Sequence, residues 1–121
     1  MTYESVAVVE SRVAPGVTFT VLKMSYGRRA ELMRRIRDLA RRMEFLQAGQ
    51  EPTEKMEAAL LEAEIRRLYA GWGLRAVSGL VVDGAEATPE LLAESGPEAL
   101  FLEAVAAVQA QAGLNEAERK N

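Results

Sequence analysis

Residues 26–48 read YGRRAELMRRIRDLARRMEFLQA, and the spacing of their apolar side chains decides the class of fold. Leu32, Ile36, Leu39, Ala40, Met43 and Leu46 recur at intervals of three and four, the period of one buried helical stripe. Ser25 precedes the run and can cap it by accepting from a free backbone N–H. Gly49 follows it and tolerates the left-handed conformation that closes a helix. At ~1.5 Å per residue this element is roughly 30 Å long.

A second helix is expected from about Glu54 to Ala70, after a short connection over Gln50–Thr53 in which Pro52 suits an early helical position. Met56, Leu60, Leu61, Ile65, Leu68 and Trp72 are assigned to its inward side. So short a connection predicts that the two helices pack as an antiparallel hairpin. Gly71-Trp72-Gly73 is expected to break the second one.

Outward from this pair the pattern changes period. Val6, Val8, Val13, Val17, Phe19, Val21 and Leu22 are the β-branched and apolar residues of two antiparallel strands, joined at Pro15-Gly16, where proline presets φ and glycine accepts a positive one. After Trp72, Leu74 to Val82 reads as one strand. Asp83-Gly84 is a tight-turn dipeptide, and only Ala85–Ala87 remains for a return strand.

Thr88-Pro89-Glu90 opens a brief helix, with a capping hydroxyl, a proline at the first position and a carboxylate near the positive end. Gly96-Pro97-Glu98 stops it and starts another over Pro97–Ala112, closed by Gly113. Leu114 can fold back onto that cap, and Asn115 and Glu118 stand at capping-box spacing in a polar tail. The expected fold is α+β and predominantly α: an antiparallel helix pair, a small antiparallel sheet and C-terminal helices. Residues 1–113 are read as one globular domain and 114–121 as a tail, in keeping with a 121-residue chain.

Composition narrows the chemistry. The chain has no histidine and no cysteine, which removes the commonest general base, the thiolate nucleophile and most transition-metal ligands together. Serine–lysine, paired-carboxylate and magnesium routes leave no recognisable signature; Ser78 and Lys23 belong to no motif, and Asp83 with Glu86 falls far short of a calcium loop. The expectation is a non-enzyme without catalytic residues, cofactor or metal. Net charge is −3, so there is no overall attraction to nucleic acid. No stretch approaches the ~20 apolar residues of a membrane span, and Met1-Thr2-Tyr3-Glu4 lacks the basic start of a signal peptide. The expected location is the cytoplasm.

What remains is surface. Arg28, Arg29, Arg34, Arg35, Arg37, Arg41 and Arg42 lie on the first helix, offset only by Glu31, Asp38 and Glu44. Arg28, Arg35 and Arg42 recur every seven residues along one flank, and Arg34, Arg37 and Arg41 form an adjoining row. The bland interpretation is the solvated side of an amphipathic helix. The functional one is a docking surface for a protein partner, since the guanidinium fork binds carboxylates bidentately; Arg28, Arg34, Arg35, Arg37, Arg41 and Arg42 are the candidate partner-binding residues. Nucleic acid is not expected, because no aromatic residues alternate with the arginines. Carboxylates gather elsewhere, at Glu51, Glu54, Glu57, Glu62 and Glu64 and again from Asp83 to Glu103, which permits internal salt bridges or self-association between copies. Tyr69 and Trp72 are read as core plugs in preference to an interface anchor.

The run Trp72-Gly73-Leu74, Gly79-Leu80-Val81-Val82-Asp83-Gly84, Ala87-Thr88, Gly96-Pro97-Glu98 and Leu114-Asn115-Glu116-Ala117-Glu118-Arg119-Lys120-Asn121 resembles small proteins of phage and prophage tail clusters. The arginine-rich helix ending in Glu44-Phe45-Leu46, and Leu61-Glu62-Ala63-Glu64-Ile65 before the tryptophan, are similar too. These proteins resemble tail assembly chaperones. The resemblance implies a cofactor-free, mainly helical, non-enzymatic protein that keeps the tape measure protein soluble and recruits tail tube subunits. It transfers no binding residue. A structural tail or neck subunit, and a nucleic-acid-binding regulator using the arginine face, are the alternatives.

Overall fold

Chain contacts divide the protein into two compact units, Met1–Met24 with Tyr69–Gly113, and Ser25–Leu68. The computed structural model describes residues 1–48 and 51–113, with the side chains of Leu46 and Gln47 excluded. Leu46, Gly49, Leu114, Asn115 and Glu118, given roles above, therefore lie outside what is described. Within the described residues the fold is α+β and predominantly α, with four helices, a three-stranded antiparallel sheet and a two-stranded one.

In the first unit, strands β1 (Val6–Glu10) and β2 (Thr18–Leu22) pair antiparallel, from Val6 opposite Leu22 to Glu10 opposite Thr18. Their connection contains the expected turn. The Val17 N–H donates to the Ala14 carbonyl at 3.1 Å, Pro15 takes the second position and Gly16, at φ +93°, the third. Proline before a positive-φ glycine is the type II pattern.

On the other side of β2 lies β3 (Leu74–Ser78), antiparallel, with Phe19 opposite Val77 and a register shift between Thr20 and Val21. The order β1-β2-β3 makes β2 the central strand. Its alternate residues Phe19 and Val21 are fully buried, as the two-residue period requires for a strand covered on one face. The cover comes from α4 (Glu98–Ala112), which packs on β2 and β3, and from α3 (Pro89–Ser95), which packs on α4 and β3. Leu92, Leu100, Ala104, Val105 and Val108 are their buried contributions. The end signals behave as read: the Thr88 hydroxyl accepts from the Leu91 N–H at 3.1 Å, and Gly113 closes α4 at φ +63°. Pro97 stands just before α4 as its cap residue.

Two expectations fail in this unit, and each failure has a steric cause. Helix α2 (Pro52–Gly73) does not break at Gly71 but runs through Gly73 and enters β3 directly at Leu74. Tyr69 and Trp72 are buried in that last turn. Burying two large aromatics outweighs the ~1 kcal/mol by which each glycine disfavours a helix. At Gly73 a Cβ would collide with Cγ1 of Val108, so glycine serves close packing there. The strand expected over Leu74–Val82 is in fact two. β3 ends at Ser78, Gly79 turns at φ +82°, and β4 (Val81–Val82) pairs with β5 (Ala85–Glu86) through Asp83 at φ +50° and Gly84 at φ +82°. A Cβ on Gly79 would run into the Gly16 carbonyl oxygen.

The second unit holds α1 (Tyr26–Gln47) and α2 as far as Leu68. Ser25 Oγ accepts from the Arg28 N–H at 3.2 Å, the cap that was expected. Leu32 and Ile36 are fully buried, and Leu39, Ala40 and Met43 half-buried. On α2 the inward stripe is Ala58, Leu61 and Ile65, and Met56 and Leu60 are 68% and 62% exposed. Their inward assignment is corrected by helical geometry. Each stands two residues from Ala58, about 200° around the helix, so the small alanine takes the inward position and the larger pair the outward one.

Gly79 and Gly84 share the same φ, but only Gly79 has backbone where a Cβ would go. Gly84→Ala should therefore lower stability by about 1 kcal/mol, for strain alone, and Gly79→Ala by at least about 2 kcal/mol. Urea unfolding of the two variants checks this, and equal losses would contradict the close approach.

Candidate functional site

Because α1 buries Leu32 and Ile36, its arginines are turned outward. Arg34, Arg35, Arg37, Arg41 and Arg42 are exposed, and Arg28 and Arg29 half-buried. The helix thus displays five of the six candidate residues openly and Arg28 in part. Arg35 Nη2 lies 2.7 Å from Glu31 Oε1, one turn back, and Arg37 Nε lies 3.6 Å from Asp38 Oδ1. Exposed pairs of this kind contribute ~0–1 kcal/mol. Arg34 and Arg42 make no ion pair with any described residue. Exposed pairs of this strength contribute little to holding α1 together, and a guanidinium fork can equally pair with a carboxylate of another molecule.

One residue that composition and spacing did not mark joins this surface. Phe45 is 77% exposed, and it follows Arg41 by four residues, hence one turn along the same side. The apolar period of α1 runs through Met43, so the neighbouring Phe45 fell outside the stripe and attracted no role.

In the sheet unit, Glu103 of α4 is a group whose protonation the fold shifts. Burial would raise its carboxyl, but hydrogen bonds from the Ser11 hydroxyl and the backbone N–H groups of Arg12 and Val13, with the Arg12 charge, outweigh this and hold it below its ordinary value. Ser11 Oγ donates to Oε1 at 2.5 Å and the Arg12 N–H to Oε2 at 2.7 Å, while Ser11 Oγ accepts from the Ala14 N–H at 2.9 Å. Glu103 thereby ties the β1–β2 connection to α4. The partners are 92 and 91 residues apart, so no local pattern announces them.

Elsewhere the chemistry is thin. Among the described residues no three acidic side chains gather as a metal site. A concavity of about 200 Å³ is lined by Val77, Ser78, Gly79, Leu80, Val81 and Glu86, which brings one carboxylate and no nucleophile–base pair. Tyr69 and Trp72 are core residues, as read. No described helix is long and apolar enough to cross a membrane. No protein-family model, curated protein or solved structure matches the chain.

The Glu103 clamp has a pH signature. A carboxyl held below its unfolded value stabilises the fold above that value, about 4.3, and the contribution is lost as pH falls through the folded one. Glu103→Gln puts an amide NH₂ where an acceptor is needed. It should lower stability by about 1 kcal/mol at pH 7 and flatten the loss between about pH 5 and 3. Denaturant titrations across that range check both effects; an unchanged acid limb would contradict the clamp.

Proposed function

We propose that this chain is a non-enzymatic tail assembly chaperone of a tailed bacteriophage or prophage, acting in the host cytoplasm on the tape measure protein, tail tube subunits or both. The observation that carries this is the ordered resemblance running from the arginine-rich helix through Trp72-Gly73-Leu74 and Gly79–Gly84 to Gly96-Pro97-Glu98 and the tail. Support comes from α1, which offers exposed arginines to a protein partner, and from a chain without imidazole or thiol. A chaperone of this kind holds a long helical client briefly. Peripheral guanidinium contacts suit that task, because they speed encounter and set orientation more than they prolong residence.

Co-expression with the tape measure protein of the same tail cluster should yield a soluble complex and raise the client's soluble fraction several-fold. No complex and no gain in solubility would overturn the proposal. Stable rings or tubes of the purified chain, retained in mature particles, would replace it with a structural tail or neck subunit. Tight DNA binding that weakens steeply with salt would replace it with a nucleic-acid-binding regulator.

A further inference from the structure

The outward face of α1 combines two residue types that interfaces favour, arginine and an aromatic. All seven of its cations are arginine and none is lysine, although the chain uses lysine at positions 23, 55 and 120. Arginine and aromatic residues are enriched where proteins meet, and lysine is depleted. At about 100° per residue, Arg34, Arg41 and Phe45 fall within about 40° of one another, opposite Leu32 and Ile36, with Arg37 alongside. The stripe is about 17 Å long, and Arg37, Arg41 and Phe45 are spaced about 6 Å apart along the axis.

That spacing is one turn of helix, so a partner helix laid along α1 repeats at the same interval. Asp38 and Glu44, interleaved with the arginines, would repel a continuous phosphate backbone, whereas a helix can present carboxylates one turn apart and leave gaps between them. We infer that Arg34, Arg37, Arg41 and Phe45 dock a carboxylate-rich amphipathic helix of a partner protein, its acidic residues on the three guanidinium groups and one apolar residue, a turn beyond, on the Phe45 ring. This deepens the chaperone proposal and rests on it for the partner being a protein; it adds the chemistry by which a client segment is chosen.

Two synthetic 21-residue helical peptides test it, alike in their apolar stripe but carrying glutamate or lysine at the flanking positions. In fluorescence anisotropy at low salt, the native chain should bind the glutamate peptide at least tenfold more tightly. The triple variant R34E/R37E/R41E should reverse that preference. F45A should weaken glutamate-peptide binding about fivefold, and R75E, on the sheet unit, should leave it unchanged. Circular dichroism confirms that each variant keeps its helix, since all the altered side chains are exposed. Equal binding of the two peptides, an unreversed preference, an equal effect of R75E, or displacement of the glutamate peptide by duplex DNA would each overturn the inference. The assay contains no tape measure protein, so its failure leaves the chaperone proposal standing, and a failed co-expression leaves the peptide result standing.

Discussion

Gly73 leaves no room for a side chain beside Val108, and the last turn of α2 is pressed against α4 there. Tyr69 and Trp72, in the same turn, are 2% and 4% exposed. From this contact the rest of the sheet unit follows. β3 starts at the next residue, Leu74, and pairs with β2; β2 is thereby the central strand, and its buried face meets the helix that holds Val108. The β1–β2 connection is secured at a second point, where Glu103 of the same α4 accepts from Ser11 and Arg12. One helix thus organises both ends of a sheet too small to hold together by pairing alone.

The helical unit is organised differently. Its buried positions are few, Leu32 and Ile36 on α1 with Ala58, Leu61 and Ile65 on α2, and large apolar residues remain outside at Phe45, Met56 and Leu60. Charge is divided in the same sense. Residues 25–68 carry ten basic and eight acidic side chains, whereas residues 1–24 and 69–113 carry three basic and eight acidic. The helical unit thus carries the basic excess of the described chain and, at Phe45, an exposed aromatic residue on the same helix.

Much of the local grammar was legible. Pro15-Gly16, Asp83-Gly84, Thr88-Pro89 and Gly113 each work through backbone torsion or a neighbouring N–H, so four or five residues suffice to read them. Ser25 and Pro52 placed helix starts for the same reason. Errors arose where distant residues decide. Gly71 and Gly73 read as a break because nothing local says that Val108 requires a glycine; Gly79 read as strand because its obstacle is the Gly16 carbonyl; Met56 and Leu60 read as core because they are large and apolar, although Ala58 takes the inward side. The arginine face was legible, since seven like charges on one helix need no tertiary information. Phe45 and the Ser11–Glu103 clamp were not, because an exposed aromatic and a long-range hydrogen bond leave no period in the chain.

If α1 holds a partner through Arg34 to Phe45, its backbone must feel the partner's arrival. Hydrogen exchange of backbone amides, measured on the chain alone and with the tape measure protein bound, reads this residue by residue. Exchange should slow mainly in residues 34–45, with the amides of β1 to β3 unchanged. Protection confined to the sheet unit, with α1 exchanging as fast as in the free chain, would contradict it.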